Sequence, residues 1–265
     1  MQKFSHIRGI LFDLDGVLYI GNQVIDGARE TIQKIRQRGF ICRFITNTST
    51  LSRHSLQQKL THLGFDISES EILSAPQATL VYLQQFNDPV CRLLLADDVK
   101  QDFQHLKQSD QQTDFIIIGD IGEKWSYSLL NSAFNQLMDG AKLIAIHKNR
   151  YWQTETGLKM DIGGFVTALE YASDQQAMLI GKPATAFFHA ALHDMKLAPE
   201  QVVIIGDDIE SDIGGGKKAG ISGILVKTGK YRAPAVKKSK IKSDLIIPSI
   251  ANLPDHLPLK AGEDI

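Results

Sequence analysis

Residues 7–19 read IRGILFDLDGVLY, an apolar run that breaks abruptly into Asp13-Leu14-Asp15-Gly16. The run 7–12 has the near-continuous Ile, Leu and Phe content of a strand covered on both faces. The same passage from apolar run to polar tail recurs three times. The run 41–45 leads into Thr46-Asn47-Thr48-Ser49, 178–180 into Gly181-Lys182-Pro183, and 202–205 into Gly206-Asp207-Asp208 and then Asp212. In open parallel sheets, ligands bind beyond the carboxyl ends of the strands. These four tails are therefore where chemistry is expected.

Helical patterns alternate with the runs. Residues 28–38 form an amphipathic pattern ended by Gly39, and 52–63 one closed by Gly64, the residue type favoured just past a helix C-terminus. Further helices are expected over 78–86, 99–106, 126–138, 164–171, 184–195 and 211–219, with strands over 92–96, 115–118, 143–147, 223–226 and 245–247. Such alternation predicts an α/β protein with a doubly wound, parallel-sheet, Rossmann-like core. No repeat or low-complexity segment interrupts it.

The totals restrict the partners. A formal net charge of -1 lacks the basic excess of a polyanion binder, so no nucleic-acid partner is expected. No apolar run approaches the ~20 residues that span a bilayer, so no membrane partner is expected. The first residues, MQKFSHIRGILFDLDG, carry acidic residues inside their short apolar stretch and do not read as a signal peptide. Cys42 and Cys91 lie far apart, each near the start of an apolar run, and read as buried free thiols. A cytoplasmic location fits all of this.

The tails form a coherent chemical set. Phosphate hydrolysis needs a nucleophile, a proton donor for the leaving group and positive charge on the phosphoryl oxygens. A carboxylate nucleophile repels phosphate unless a divalent cation lies between them. Magnesium prefers oxygen ligands and takes one or two protein carboxylates plus substrate phosphate. Asp13 and Asp207 suit it, with the backbone carbonyl of Asp15 as a third oxygen. On extended chain, residues two apart point the same way. Asp13 is thus expected to attack phosphorus while Asp15 protonates the leaving oxygen and later activates water. Gly16 is expected to turn sharply and bring its N–H to the phosphate. Thr46, Asn47 and Thr48 supply donors, Lys182 a compact cation, and Asp208 and Asp212 stand behind them, Asp212 orienting Lys182 or holding a metal-bound water.

Each piece has a plainer reading. Asp-x-Asp-Gly is common in turns. As an EF-hand loop it fails, with Val17 and Val24 at positions that need oxygen ligands. Asp207-Asp208 also suits a helix cap. Gly214-Gly215-Gly216 falls within a helical pattern, which favours packing over phosphate cradling. The signal lies in the joint occurrence, in this order, each after a strand.

Together the stretches LFDLDGVLY (11–19), FITNTS (44–49), GKP (181–183) and IGDDIESDIGG (205–215) resemble the haloacid dehalogenase superfamily of phosphohydrolases. The resemblance implies Asp13 as nucleophile, Asp15 as general acid and base, Thr46 as phosphate ligand, Lys182 as charge stabiliser and Asp207 as magnesium ligand. Members that act on halogenated acids lack the second aspartate, present here as Asp15. Thr46 and Lys182 stand roughly 135 residues apart, far more than one crossover needs. This is similar to the class with a large cap between its second and third motifs. It implies a catalytic core over 1–79 and 178–265 and an inserted, smaller α/β cap over 80–177.

Three stretches, AIHKNRYW (145–152), GFVTALEYAS (164–173) and ILVKTGKYR (224–232), resemble phospholysine phosphohistidine inorganic pyrophosphate phosphatases and related hydrolase-domain proteins. The kinship implies a small phosphorylated substrate, with pyrophosphate, phosphohistidine or phospholysine among the candidates, and a homodimer formed through the cap. The chain departs from that family at Ile162-Gly163-Gly164, where Gly-Pro-Gly is usual, and at Thr48, where asparagine is usual. His147, Lys148 and Arg150 are candidates to touch the leaving group. The N–H groups of Gly163 and Gly164 are candidates to face an anion. A catalytically quiet phosphate-binding or regulatory protein and a phosphomutase remain as alternatives on the same fold.

Overall fold

The computed structural model describes residues 4–154 and 157–261. The chain divides into two compact units, Met1–Thr46 with Gln57–Leu73 and Lys182–Ile265, and Asn47–Leu56 with Ser74–Gly181. The division falls directly after Thr46 and directly before Lys182.

The first unit is built on a six-stranded sheet. From one edge its strands are Leu245–Ile247, Ser222–Val226, Val202–Gly206, Gly9–Asp13, Ile41–Thr46 and Ile72–Ser74. The four pairings from Leu245–Ile247 across to Ile41–Thr46 are parallel. Gly9–Asp13 and Val202–Gly206 are buried at every position, which explains their apolar composition. Helices Ala28–Gln37 and Thr185–Met195 are as expected, the first followed by Gly39 at φ +83. The expected helix over 211–219 begins as a π-helical turn, Ile209–Gly214, and continues as a single α-helical turn, Gly215–Lys218. Its three glycines serve packing. A Cβ on Gly214 would lie 2.4 Å from Ile241, on Gly215 2.5 Å from Phe188, and on Gly216 2.7 Å from Ile204.

The second unit has its own five-stranded sheet, ordered Met178–Leu179, Lys142–Ala145, Phe115–Ile118, Val90–Leu94 and Lys107–Gln108, all parallel. Helices Tyr127–Met138 and Gly163–Ser173 pack on it through Ile116, Ile118, Leu137, Val166 and Leu169. Trp125 stacks on Phe165 with ring centroids 4.4 Å apart. The expected helix over 99–106 is shorter, an α-helical turn Asp97–Lys100 running into a 3-10 turn Gln101–Phe103. An antiparallel hairpin, Tyr151–Thr154 with Gly157–Met160, was not foreseen from the sequence. Cys42 and Cys91 are buried free thiols, as expected. Among the described residues, no helix is long and apolar enough to cross a membrane.

Candidate active site

Chain order explains where the site forms. Gly9–Asp13 is central, Ile41–Thr46 and Ile72–Ser74 lie to one side of it, and the strands after position 200 lie to the other. The order therefore reverses between Gly9–Asp13 and Val202–Gly206, and this switch point opens a crevice at the strands' carboxyl ends. Phe12 pairs with Ile205 and Asp13 with Ile45. Asp13, Thr46 and Asp207 consequently leave the sheet side by side, and all three are buried.

Lys182 is only 3% exposed, a burial that a lysine tolerates when paired. Its Nζ donates to Asp13 Oδ1 and to Asp212 Oδ1, both at 2.6 Å. Burial pulls the ammonium pKa down, but the two carboxylates outweigh it and hold it above the ordinary value. Asp212 is pushed up to about 6, by burial first and against the pull of Lys182. Its second oxygen accepts the N–H of Asp208 at 3.0 Å. Both oxygens of Asp212 are thus engaged within the protein.

The adjacent aspartates divide their work. Asp208 Oδ1 accepts the N–H groups of Glu210 and Ser211 at 2.9 and 3.1 Å, so it caps the π-helical turn. Asp207 turns inward, and its Oδ2 accepts the N–H of Lys230 at 2.6 Å. Burial raises its pKa well above the usual carboxylate range, and the like charges of Asp13 and Asp212 add to that. Asp13 is raised as well, chiefly by burial, with Lys182 and Lys230 opposing. Carboxylate oxygens of Asp13, Asp207 and Asp212 all lie within 4.8 Å of one another. A cluster of hard, buried, anionic oxygens fits a divalent cation such as magnesium in ligand chemistry.

Gly16 turns the chain sharply, as expected, but its N–H is used differently. Its N–H donates to the Tyr19 carbonyl at 2.7 Å, closing the turn after Asp15 rather than being left for a phosphate. Its φ is +88, and a Cβ there would lie 1.9 Å from Asp207 Oδ2. Asp15 keeps an exposed side chain, yet the protein atoms around it raise its carboxyl pKa, while Lys59, Lys230 and Lys182 pull it down.

Residues of the second unit behave differently from one another. His147 is buried, with Nε2 3.2 Å from Ser49 Oγ and 3.8 Å from Asp161 Oδ1, and its Nδ1 receives the Asn149 N–H at 3.4 Å. Lys148 pairs with Glu170. Arg150 is exposed, and Asn47 and Thr48 are half-buried. The N–H of Gly163 donates to the Asn149 carbonyl at 3.0 Å, and that of Gly164 to the Asp161 carbonyl at 3.4 Å. Those two N–H groups therefore close the local turn instead of facing an anion.

Three site residues escaped the sequence reading. Strand Ser222–Val226 ends in Lys227-Thr228-Gly229-Lys230, and this tail folds onto the first motif. Thr228 Oγ1 donates to the Gly16 carbonyl. Gly229, at φ +56, would place a Cβ 2.0 Å from Asp207 Oδ2 and 2.5 Å from Gly16 Cα. The half-buried Lys230 feels the field of Asp207 most strongly among the nearby carboxylates. The strand-end rule that found the other four tails points to this fifth one equally well.

A switch-point α/β sheet with two aspartates after its first strand, a buried lysine and an acidic cluster defines a class of hydrolase. The family model described as haloacid dehalogenase-like hydrolase matches residues 10–108, and a second, HAD-hydrolase-like, matches residues 179–253. This chain belongs to the haloacid dehalogenase-like hydrolases. It is 42% identical to haloacid dehalogenase-like hydrolase domain-containing protein 2 of Bos taurus, over 95% of this chain and 96% of that protein. It is 38% identical to the phospholysine phosphohistidine inorganic pyrophosphate phosphatase of Xenopus laevis, over 95% of this chain and 94% of that protein. In structure it is similar to the 4-nitrophenylphosphatase of Thermotoga maritima, with a TM-score of 0.88, 23% identity, and coverage of 95% of this chain and 98% of the other.

Proposed function

We propose that this chain is a magnesium-dependent phosphatase that cleaves phosphate esters, phosphoanhydrides or phosphoamides through an aspartyl-phosphate on Asp13. The observation that carries this reading is the buried Asp13 carboxylate at the sheet's switch point, 2.6 Å from Lys182 and clustered with Asp207. A carboxylate held by a cation at a ligand-binding strand end suits attack on a centre that brings its own negative charge.

In this reading an Asp13 carboxylate oxygen bonds to phosphorus as the bond from phosphorus to the leaving group breaks. Asp15 gives its proton to the leaving atom. Asp15, now a carboxylate, takes a proton from water, whose oxygen attacks the phosphorus of the acyl phosphate. Phosphate departs and Asp13 is a carboxylate again. The raised pKa of Asp15 favours the protonated form required for the first step. Thr46, with the tail Asn47-Thr48, donates to phosphoryl oxygens. Lys182 offsets charge at Asp13, and Asp212 keeps Lys182 in place.

Asp13, Asp207 and the carbonyl of Asp15 are the proposed magnesium ligands, with Asp212 in the same cluster orienting Lys182 or holding a metal-bound water. Magnesium, when bound, offsets the charge that carboxylates and phosphate bring together. Residues 1–79 and 178–265 are the proposed catalytic core and 80–177 a cap that carries substrate specificity, with His147, Lys148 and Arg150 as its candidate determinants. The names of the relatives support small phosphorylated substrates, including pyrophosphate and phosphohistidine or phospholysine. A cytoplasmic location and a homodimer through the cap complete the proposal.

The test is release of phosphate from 4-nitrophenyl phosphate with and without magnesium. Asp13→Asn is expected to abolish turnover and excess chelator to suppress it. Full activity in either condition would sink the mechanism.

A further inference from the structure

Lys59 is a cation that the mechanism does not use. It lies in helix Arg53–His62, between the buried Leu56 and Leu60, and is itself half-buried. Its Nζ sits 4.3 Å from the centroid of the Tyr19 ring. Tyr19 is buried and fixed to the first motif, because its carbonyl accepts the Gly16 N–H and it forms a bridge with Asp15. The ring therefore seats an ammonium group beside the turn that carries Asp15. Among the described residues, Lys59 makes no direct ion pair.

The cations around the site are not equivalent. Lys182 and Lys230 act on Asp13. Lys59 lies over the ring of Tyr19, which is bridged to Asp15. Lys59 thus belongs to the Asp15 side of the site, whereas Lys182, hydrogen-bonded to Asp13, belongs to the side of Asp13. If Asp15 protonates the leaving atom, Lys59 stands on the leaving-group side.

We propose that Lys59 is a specificity-determining residue that favours phosphorylated substrates whose leaving group carries a further negative charge. This rests on the roles given above to Asp13 and Asp15. A half-desolvated ammonium without a direct anionic partner gains by meeting one, and a neutral leaving group offers none. The Tyr19 ring holds the ammonium in place beforehand, so little ordering is lost on binding.

The test compares 4-nitrophenyl phosphate with 4-carboxyphenyl phosphate, two aryl phosphates of which only the second carries an added carboxylate. Lys59→Met keeps the apolar stem over the ring and removes the charge. Expected is a loss of about tenfold in kcat/KM on the carboxylated substrate, mostly in KM, with about threefold or less on the nitro compound. Lys59→Arg is expected to restore most of the loss. An equal fall on both substrates, or no fall on either, would overturn the assignment. Turnover of the nitro compound within about threefold of the parent also reports that the variant is folded. Wild-type protein inactive on both substrates would instead overturn the phosphatase reading itself.

Discussion

The ammonium of Lys182 and the carboxylate of Asp212 lie 2.6 Å apart, both buried, and the same ammonium spans to Asp13. One cation thus holds together two carboxylates that arrive from different strand ends. Removing it leaves two buried anions without the cation they share. Lys182→Met is expected to cost about 3–5 kcal/mol of stability and at least about a hundredfold in turnover. Urea unfolding and steady-state kinetics check both numbers. Adding Asp212→Asn to that variant is expected to return part of the stability and none of the activity.

Gly229 offers a test of the tail that the sequence reading passed over. A side chain there meets both an unfavourable φ of +56 and the Asp207 carboxylate at 2.0 Å. Gly39, at φ +83, has nothing within 4 Å of the same added atom. Gly39→Ala is expected to cost about 1 kcal/mol through backbone strain alone. Gly229→Ala is expected to cost more and to weaken magnesium dependence, because Asp207 must shift. Equal costs in the two variants would show that the close approach is unimportant.

The strands and the four tails were legible because period and composition report burial on both faces, and Gly9–Asp13 and Val202–Gly206 are indeed buried throughout. The pairing of Lys182 with Asp13 could be expected from type and order alone. What the sequence hid depended on through-space packing. Nothing local in Asp207-Asp208 says that one aspartate caps a turn while the other turns inward. Nothing local says that the Gly16 N–H closes onto Tyr19, or that Ser49 approaches His147 across nearly a hundred positions. Short elements such as Lys107–Gln108 and the hairpin Tyr151–Thr154 with Gly157–Met160 were lost because two to four residues carry too little periodicity to read.

Cys42 supplies a pH dependence away from the site. Burial pushes its thiol up to about 12 from an ordinary 9.0, and its Sγ donates to the Phe40 carbonyl. The folded state holds the proton more tightly than the unfolded chain. The resulting stability is fully present below pH 9 and is lost as pH rises toward 12. Cys42→Ser cannot ionise in that range, so its stability is expected to fall less steeply between those limits. Thermal unfolding of both proteins at pH 8 and at about pH 10.5 reads the difference. The native thiol is also expected to resist alkylation at neutral pH until the protein unfolds.

Asp207 should show stability and function in opposition. Its pKa is raised in the folded protein, so protonation favours folding and the charged form opposes it at neutral pH. The opposition comes from burial and from the charges of Asp13 and Asp212, and a bound cation would relieve it. Asp207→Asn keeps an acceptor for the Lys230 N–H while removing one negative charge. In excess chelator the variant is expected to unfold about 2–4 °C above the parent, the shift that corresponds to roughly 1 kcal/mol in a protein of this size. With magnesium the order should reverse, because the parent gains stability by binding the ion and the variant gains little. Phosphate release by the variant should fall close to background. A variant that is less stable than the parent in chelator would mean that the Asp207 charge is compensated within the protein itself. A variant that still gains the parent's full shift with magnesium would remove Asp207 from the ligand set.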